Sequence, residues 1–224
     1  MYPVRVKICG IRSADEAEAA LGAGVHALGF IFADSPRKIS PGDARDIIKG
    51  LPPFVGNVGV FVNEKVERVK EIAEISGLDT LQFHGDESPE YCSRFPDYKV
   101  IKALTVGNSV LLNCCVSYDV DALLLDTYYP DKKGGGGRTF NWEAVVSAKE
   151  KQWLQRPIIL AGGLNPENIC KALDTVRPFG IDVSSGVESG GKKSAVRIRQ
   201  FMSRIHNWNK NNLLEQLSST GEER

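Results

Sequence analysis

Short runs of β-branched and aliphatic residues alternate along the chain with longer charged segments whose apolar positions return at helical spacing. VRVKICG (4–10) gives way to SADEAEAALGAG (13–24), with Ser13 as N-cap, Glu16 three residues on, and Gly22 and Gly24 ending the helix. ALGFIF is followed by SPGDARDIIKGL, where Ser40 caps and Pro41 takes the first helical position. VGNVGVFV leads to NEKVERVKEIAEISG, and DTLQFHG to a helix beginning near Ser88 and Pro89. YKVIKALTV precedes a short helix around NSVLLNCC, and DALLLDT precedes a long loop and then NWEAVVSAKEK. RPIILAGG runs into NPENICKALD, and GIDVSSG, after a glycine-rich stretch, into SAVRIRQFMSRIH.

The pattern is eight strand-then-helix units. Continuous apolar strands of this kind suit a parallel sheet covered on both faces, and eight such units close into a (β/α)8 TIM barrel. The competing architecture, an open doubly wound sheet, lacks its usual G-x-G-x-x-G after the first strand. The expected organisation is a single α/β domain, with residues 1–207 as the barrel and 208–224 as a polar C-terminal extension of frayed helix.

Composition narrows the functions available. Lysine plus arginine and aspartate plus glutamate both number 28, so no overall charge selects nucleic acid or an anionic membrane, and any anion site must be local. No apolar run approaches the roughly 20 residues that span a bilayer. Five cysteines without a preceding signal-peptide pattern predict a reduced, cytoplasmic protein. No pair of them has the spacing of a zinc site, so no metal is expected.

In a barrel of this type, function gathers where strands end and the following loops share one face. The residues there are Cys9, Phe32 to Arg37, Asn63, His84, Asp126, Gly162 with Gly163, and Ser184 to Gly186. The turns AGGLNPEN and DVSSGVESGG offer backbone N–H groups and hydroxyls that suit a phosphate, although glycines after a strand also serve plain tight turns. Asp126, at the end of ALLLD, is either a hydrogen-bonded structural carboxylate or an acid or base at the mouth. Gly134 to Gly137, in the long loop after it, suit a lid or a flexible linker. A lone cysteine at a strand end is more often packing than chemistry, and Cys9 would need nearby positive charge to react. Lys7, two residues away, shares its side of the strand, and Arg12 is also close in sequence.

KICGI, SPRKIS, VGVFVN, LQFHGDESPEYC, VIKAL, LLLDT, ILAGGLNPENI and GIDVSSGVESGGKK, in this order over about residues 4–201, resemble the phosphoribosylanthranilate isomerase family of tryptophan biosynthesis. The resemblance implies a TIM barrel that performs an Amadori rearrangement on a phosphorylated small molecule, without metal or organic cofactor. It implies Cys9 as general base, Asp126 as general acid, Arg37 as the grip on the anthranilate carboxylate, and Gly162, Gly163, Ser184, Ser185 and Gly186 as the phosphate-binding loops. His84 is expected to line the site, with a structural hydrogen bond as the alternative, and Gly10 is expected to leave room for substrate beside the thiol. A monomer or a homodimer is expected.

The chain departs from the family's usual pattern at Phe83, where leucine is common, at GGGGRTF, which keeps the basic Arg138, and at Ser194, where aspartate is common. Two other readings stand beside it. One is the sister Amadori isomerase of histidine biosynthesis, which carries aspartate where Cys9 stands; the other is a phosphate-binding barrel without catalysis.

Overall fold

The computed structural model describes residues 3–106, 112–127 and 141–221. Eight strands, β1 (Arg5–Cys9), β2 (Ala27–Ile31), β3 (Gly56–Phe61), β4 (Thr80–Phe83), β5 (Lys99–Val106), β6 (Ala122–Thr127), β7 (Ile158–Leu160) and β8 (Gly180–Val183), pair in chain order into a closed barrel. Every pairing is parallel, and β8 returns to β1 with Ile8 opposite Val183 and Lys7 opposite Asp182. The (β/α)8 architecture expected from the alternating pattern is the one observed.

The connecting helices begin where their caps predict. In α1 (Ala14–Leu21), α2 (Pro41–Lys49) and α4 (Pro89–Cys92), the capping serines Ser13, Ser40 and Ser88 accept from the backbone N–H groups of Glu16, Asp43 and Tyr91. Glu16 does not close an ordinary capping box: its carboxylate accepts instead from the backbone N–H groups of Arg12 and Lys193, tying α1 to the segment after β8. The remaining helices are α3 (Val66–Ser76), α5 (Glu143–Glu150), α6 (Ile169–Val176) and α7 (Ala195–Gly221), with a 3-10 turn over Leu112–Ser117 after β5. A second 3-10 turn, Ser185–Val187, and a small hairpin of β9 (Glu188–Ser189) and β10 (Lys192–Lys193) follow β8 and have no counterpart in the expected elements.

The apolar residues form two layers. Outward positions such as Ile8, Leu28, Leu81, Leu123 and Leu125 pack under the helices, while Val58, Ile101, Ala103, Ala122, Leu124, Ile159 and Ala161 fill the barrel. Phe83 belongs to the outer layer, with its ring 4.9 Å from Phe95 and 5.1 Å from Tyr91, so the departure from leucine adds aromatic packing beneath α4. Strand parity then decides the chemistry of the mouth. On β6 the inward series Ala122, Leu124 ends at Asp126, and on β1 the inward series runs through Lys7 to Cys9.

Helix α7 runs unbroken through residue 207. Ile198, Phe201, Met202, Ile205 and Trp208 repeat at helical spacing and are buried, so the apolar stripe continues one position beyond that boundary. The Trp208 indole N–H donates to Asp174 at 2.6 Å, and Asn209 accepts from the backbone N–H of Val4 at 3.1 Å.

Candidate active site

A cavity of about 150 Å3 opens at the C-terminal mouth of the barrel. Its walls include Cys9, Arg37, Gln82, His84, Asp126, Gly162, Gly163, Asp182, Ser184, Ser185 and Gly186, so the nine residues given a site role by the family resemblance surround one space, while Phe32 and Asn63, also at strand ends, do not line it. The loop residues Gly134 to Gly137 and Arg138 lie outside the described residues.

Asp126 is held from two sides. Its Oδ1 accepts from the backbone N–H of Thr127 at 2.7 Å, and its Oδ2 lies 3.2 Å from Nε2 of His84. The other ring nitrogen of His84 faces Nε2 of the buried Gln82 at 3.1 Å. With that amide N–H donating to Nδ1, the neutral imidazole carries its proton on Nε2 and donates it to Asp126. His84 therefore lines the cavity and also bonds the carboxylate.

Cys9 is 6% exposed. Burial pushes its thiol above the ordinary range, and Asp182 adds to that, while Lys7 and Lys193 act against it. Lys7, on the same inward face of β1, donates to Asp182 at 2.9 Å. Arg12 is turned elsewhere, to the carbonyls of Pro36 and Gly191.

Arg37 is engaged side-on. Its Nε and Nη2 each donate to Glu188 at 2.7 Å, and Lys193 Nζ donates to the same carboxylate at 2.6 Å. Burial pushes the Glu188 carboxyl up, but the hydrogen bonds and charges of Arg37 and Lys193 outweigh it and hold the group at about 2. A guanidinium gripped along one edge keeps its other fork, the Nη1 and Nη2 end, for a second carboxylate. Gly10 does not open room for substrate as expected. It sits at φ +83°, and a Cβ there would lie 2.7 Å from Arg37 Cδ, so the bare backbone seats the arginine stem.

The two small-residue turns touch. A Cβ on Gly186 would collide with the carbonyl oxygen of Leu164, which joins the turn after β8 to the turn after β7. Gly162 (φ +84°) and Gly163 (φ +66°) make the first turn, and Asn165 and Asn168 fasten it by donating to the Gly163 carbonyl at 3.3 and 2.9 Å. The Ser184 hydroxyl donates to the backbone carbonyl of Cys9 at 3.0 Å and accepts from Lys193 at 3.2 Å, so it ties β8 to the thiol-bearing strand end.

Glu188, Lys193, Gln82 and the Lys7–Asp182 pair were not reached as site residues from sequence. One signal was present: the acid in GIDV, like that in ALLLD, sits at an inward position of an apolar strand. Among the described residues no group of three or more His, Cys, Asp or Glu is arranged to hold a metal. No helix among them is long and apolar enough to cross a membrane.

Over residues 6–204 the sequence matches the profile of N-(5'-phosphoribosyl)anthranilate (PRA) isomerase. The chain belongs to the phosphoribosylanthranilate isomerase family. A family member from Desulforudis audaxviator is 53% identical over 199 residues, covering 88% of this chain and 95% of its own. Monomers of the dimeric phosphoribosylanthranilate isomerase from Thermotoga maritima superpose with a TM-score of 0.81 at 39% identity, covering 91% of this chain and 99% of theirs. A phosphoribosylanthranilate isomerase in complex with reduced 1-(o-carboxyphenylamino)-1-deoxyribulose 5-phosphate superposes with a TM-score of 0.78 at 40% identity, with the same coverage. The activity of the family, an aldose-to-ketose isomerisation in tryptophan biosynthesis, is the activity of this barrel.

Proposed function

We propose that the barrel converts N-(5-phosphoribosyl)anthranilate into 1-(2-carboxyphenylamino)-1-deoxyribulose 5-phosphate with Asp126 as general acid and Cys9 as general base. The observation that carries this reading is that the two groups, from strands β6 and β1, line one cavity whose floor at β7 and β8 is the pair of touching glycine turns. The turns take the phosphate through backbone N–H groups, and the end-on fork of Arg37 takes the anthranilate carboxylate. Between those anchors the sugar lies within reach of both acid and base.

The chemistry runs in order. Asp126 gives a proton to the ring oxygen, the C1–O bond breaks, and the nitrogen lone pair forms the C1=N iminium. That iminium acidifies the C2–H. Cys9 thiolate takes the C2 proton, the C–H electrons form the enolamine, and proton gain at C1 with proton loss from the C2 hydroxyl gives the ketone. The proton that Asp126 gives up is carried on Oδ1, so Oδ2 accepts from His84 Nε2–H both before the transfer and after it, when the same N–H supports the carboxylate. Burial favours the neutral thiol, so Cys9 gives its proton to solvent before the C2 step, and the positive charge created by ring opening favours the thiolate at that moment.

The test is loss of anthranilate-type fluorescence when purified protein meets N-(5-phosphoribosyl)anthranilate. Cys9→Ser and Asp126→Asn are each expected to slow turnover by about 10²–10⁴-fold. A near-wild-type rate in either variant removes that residue from its role. For Arg37→Ala the expected change is a raised KM with kcat little altered, and an unchanged KM would remove the carboxylate contact. The reading includes a cytoplasmic enzyme, monomer or homodimer, supported by the thiols of Cys9, Cys92 and Cys170, none of them in a disulfide, and by the dimeric Thermotoga relative. Light scattering on the purified chain measures the oligomeric state.

A further inference from the structure

At the mouth of the barrel four charged groups act on Cys9: Lys7 on its own strand, Asp182 on β8, Lys193 on β10 and Arg37 from the loop after β2. Lys193 and Arg37 share Glu188. Lys7 and Asp182, 5% and 8% exposed, have each other at 2.9 Å. The reaction as proposed uses neither of them, yet a buried ion pair is costly to keep.

The register of β1 and β2 brings this pair to the thiol. Cys9 stands opposite Gly29, and a Cβ built on Gly29 would lie 2.9 Å from Lys7 Cε and 3.0 Å from Cys9 Sγ. The missing side chain is the space in which the lysine stem and the thiol converge. Any larger residue on β2 there would wedge them apart.

We propose that Lys7 is the counter-charge that carries Cys9 as a thiolate, and that Asp182 is the thiolate's competitor for it. The inference rests on the reading of Cys9 as base and gives that base its electrostatic partner. Lys7 and Asp182 offset one another at 2.9 Å, and burial favours the neutral form of Cys9. Ionisation places a second anion beside the same ammonium, which then divides its attraction between carboxylate and sulfur. Lys7 stays charged throughout: burial pulls its ammonium down, but the charges of Asp182 and Cys9 outweigh that and leave it raised. Lys7 is thus a positioning residue that acts through the thiol, without touching the reacting carbon.

The two members of one ion pair then have opposite effects on the thiol, which a merely structural role does not produce. The measurement is the pH dependence of iodoacetamide alkylation of Cys9 in the full chain, followed on the Cys9 peptide by mass spectrometry so that the other thiols do not interfere. Lys7→Met is expected to raise the alkylation midpoint by ~1–3 pH units and Asp182→Asn to lower it, the range for a single charge at close contact. The double variant, Lys7→Met with Asp182→Asn, leaves no unpaired charge and is expected between wild type and Lys7→Met. Unfolding exposes the thiol and lowers the midpoint, so it is distinguishable from the rise expected for Lys7→Met, and a circular dichroism spectrum matching wild type separates the fall expected for Asp182→Asn from unfolding. Gly29→Ala is expected to raise the midpoint without removing any charge.

Midpoints that move in the same direction for Lys7→Met and Asp182→Asn, or a Lys7→Met midpoint unchanged from wild type, overturn the proposal. The base assignment is read separately, from the basic pH dependence of kcat/KM. If that limb follows the alkylation midpoints, both readings stand. If the midpoints move in opposite directions while the limb stays still, the counter-charge stands and Cys9 is not the base.

Discussion

Gly162→Ala separates two roles that the turn after β7 could play. The glycine sits at φ +84°, where an L-residue costs about 1–2 kcal/mol. Its added Cβ would stand 2.6 Å from the backbone N of Thr127 and 2.8 Å from Asp126 Oδ1, and would also meet the Thr127 hydroxyl. Ordinary contact begins at 3.4 Å, so the carboxylate must retreat by roughly 0.6 Å and the Thr127 N–H that holds it by roughly 0.8 Å. Overpacking of this kind adds about 1–3 kcal/mol, for a total loss of stability of about 2–5 kcal/mol, measured by urea unfolding. A displacement approaching 1 Å at a catalytic group costs on the order of 10²-fold in rate. The expected result in the fluorescence assay is therefore a kcat lowered by about that factor with KM within a few-fold of wild type. A raised KM with unchanged kcat would refute the reasoning and leave Gly162 as a phosphate-turn residue only.

Three further outcomes follow from buried contacts. Lys102→Met removes an ammonium that donates to Glu87 at 2.7 Å and to the Gly85 carbonyl at 2.6 Å, both partners of the pair being 1% exposed, and is expected to destabilise by about 3–5 kcal/mol in urea. A loss below about 1 kcal/mol would contradict the uncompensated-carboxylate argument. Glu188 is held at about 2 against an ordinary 4.5, so its contribution is fully present above pH 4.5 and is lost as pH falls toward 2. Discounted for the solvent that reaches the pair at Arg37, whose side chain is 22% exposed, that is about 1–3 kcal/mol. Glu188→Gln should flatten the acid limb of stability against pH by that amount, and an unchanged limb would remove the linkage. Trp208→Ala is expected to cost about 3–5 kcal/mol by chemical denaturation, because its indole, on the buried face of α7, is bonded to Asp174 of α6. A negligible change would mean that residues beyond 207 hang free of the barrel.

What was legible in the chain was whatever is decided over a few residues. Ser13, Ser40 and Ser88 each bond an N–H three positions ahead, so the helix starts follow from local spacing. The inward parity of Cys9 and Asp126 follows from strand alternation alone, and with eight parallel units it brings both to one mouth. What stayed hidden depends on partners far apart in sequence. Arg37 meets Glu188 across 151 residues and Lys7 meets Asp182 across 175, and neither carboxylate had a local signal to pair it. Gly10 was misread for the same reason: the group that occupies the space beside it, the Arg37 stem, comes from another loop. The end of α7 was hidden by composition, because NWNKNN reads as polar while one tryptophan and one asparagine in it reach the barrel.

That last contact brings the start of β1 and the middle of the final helix together. Asn209 holds the backbone of Val4, one residue before the strand that carries the thiol begins. The seam between first and last strands is thus clasped from outside by the final helix, and new termini could be cut elsewhere without undoing it. A circularly permuted chain, with α7 ended just past the Asn209 contact, joined from there to residue 3 by a short linker and opened in the exposed stretch around Phe54, should close the same ring. In such a molecule the order of synthesis changes while the neighbours of the thiol do not.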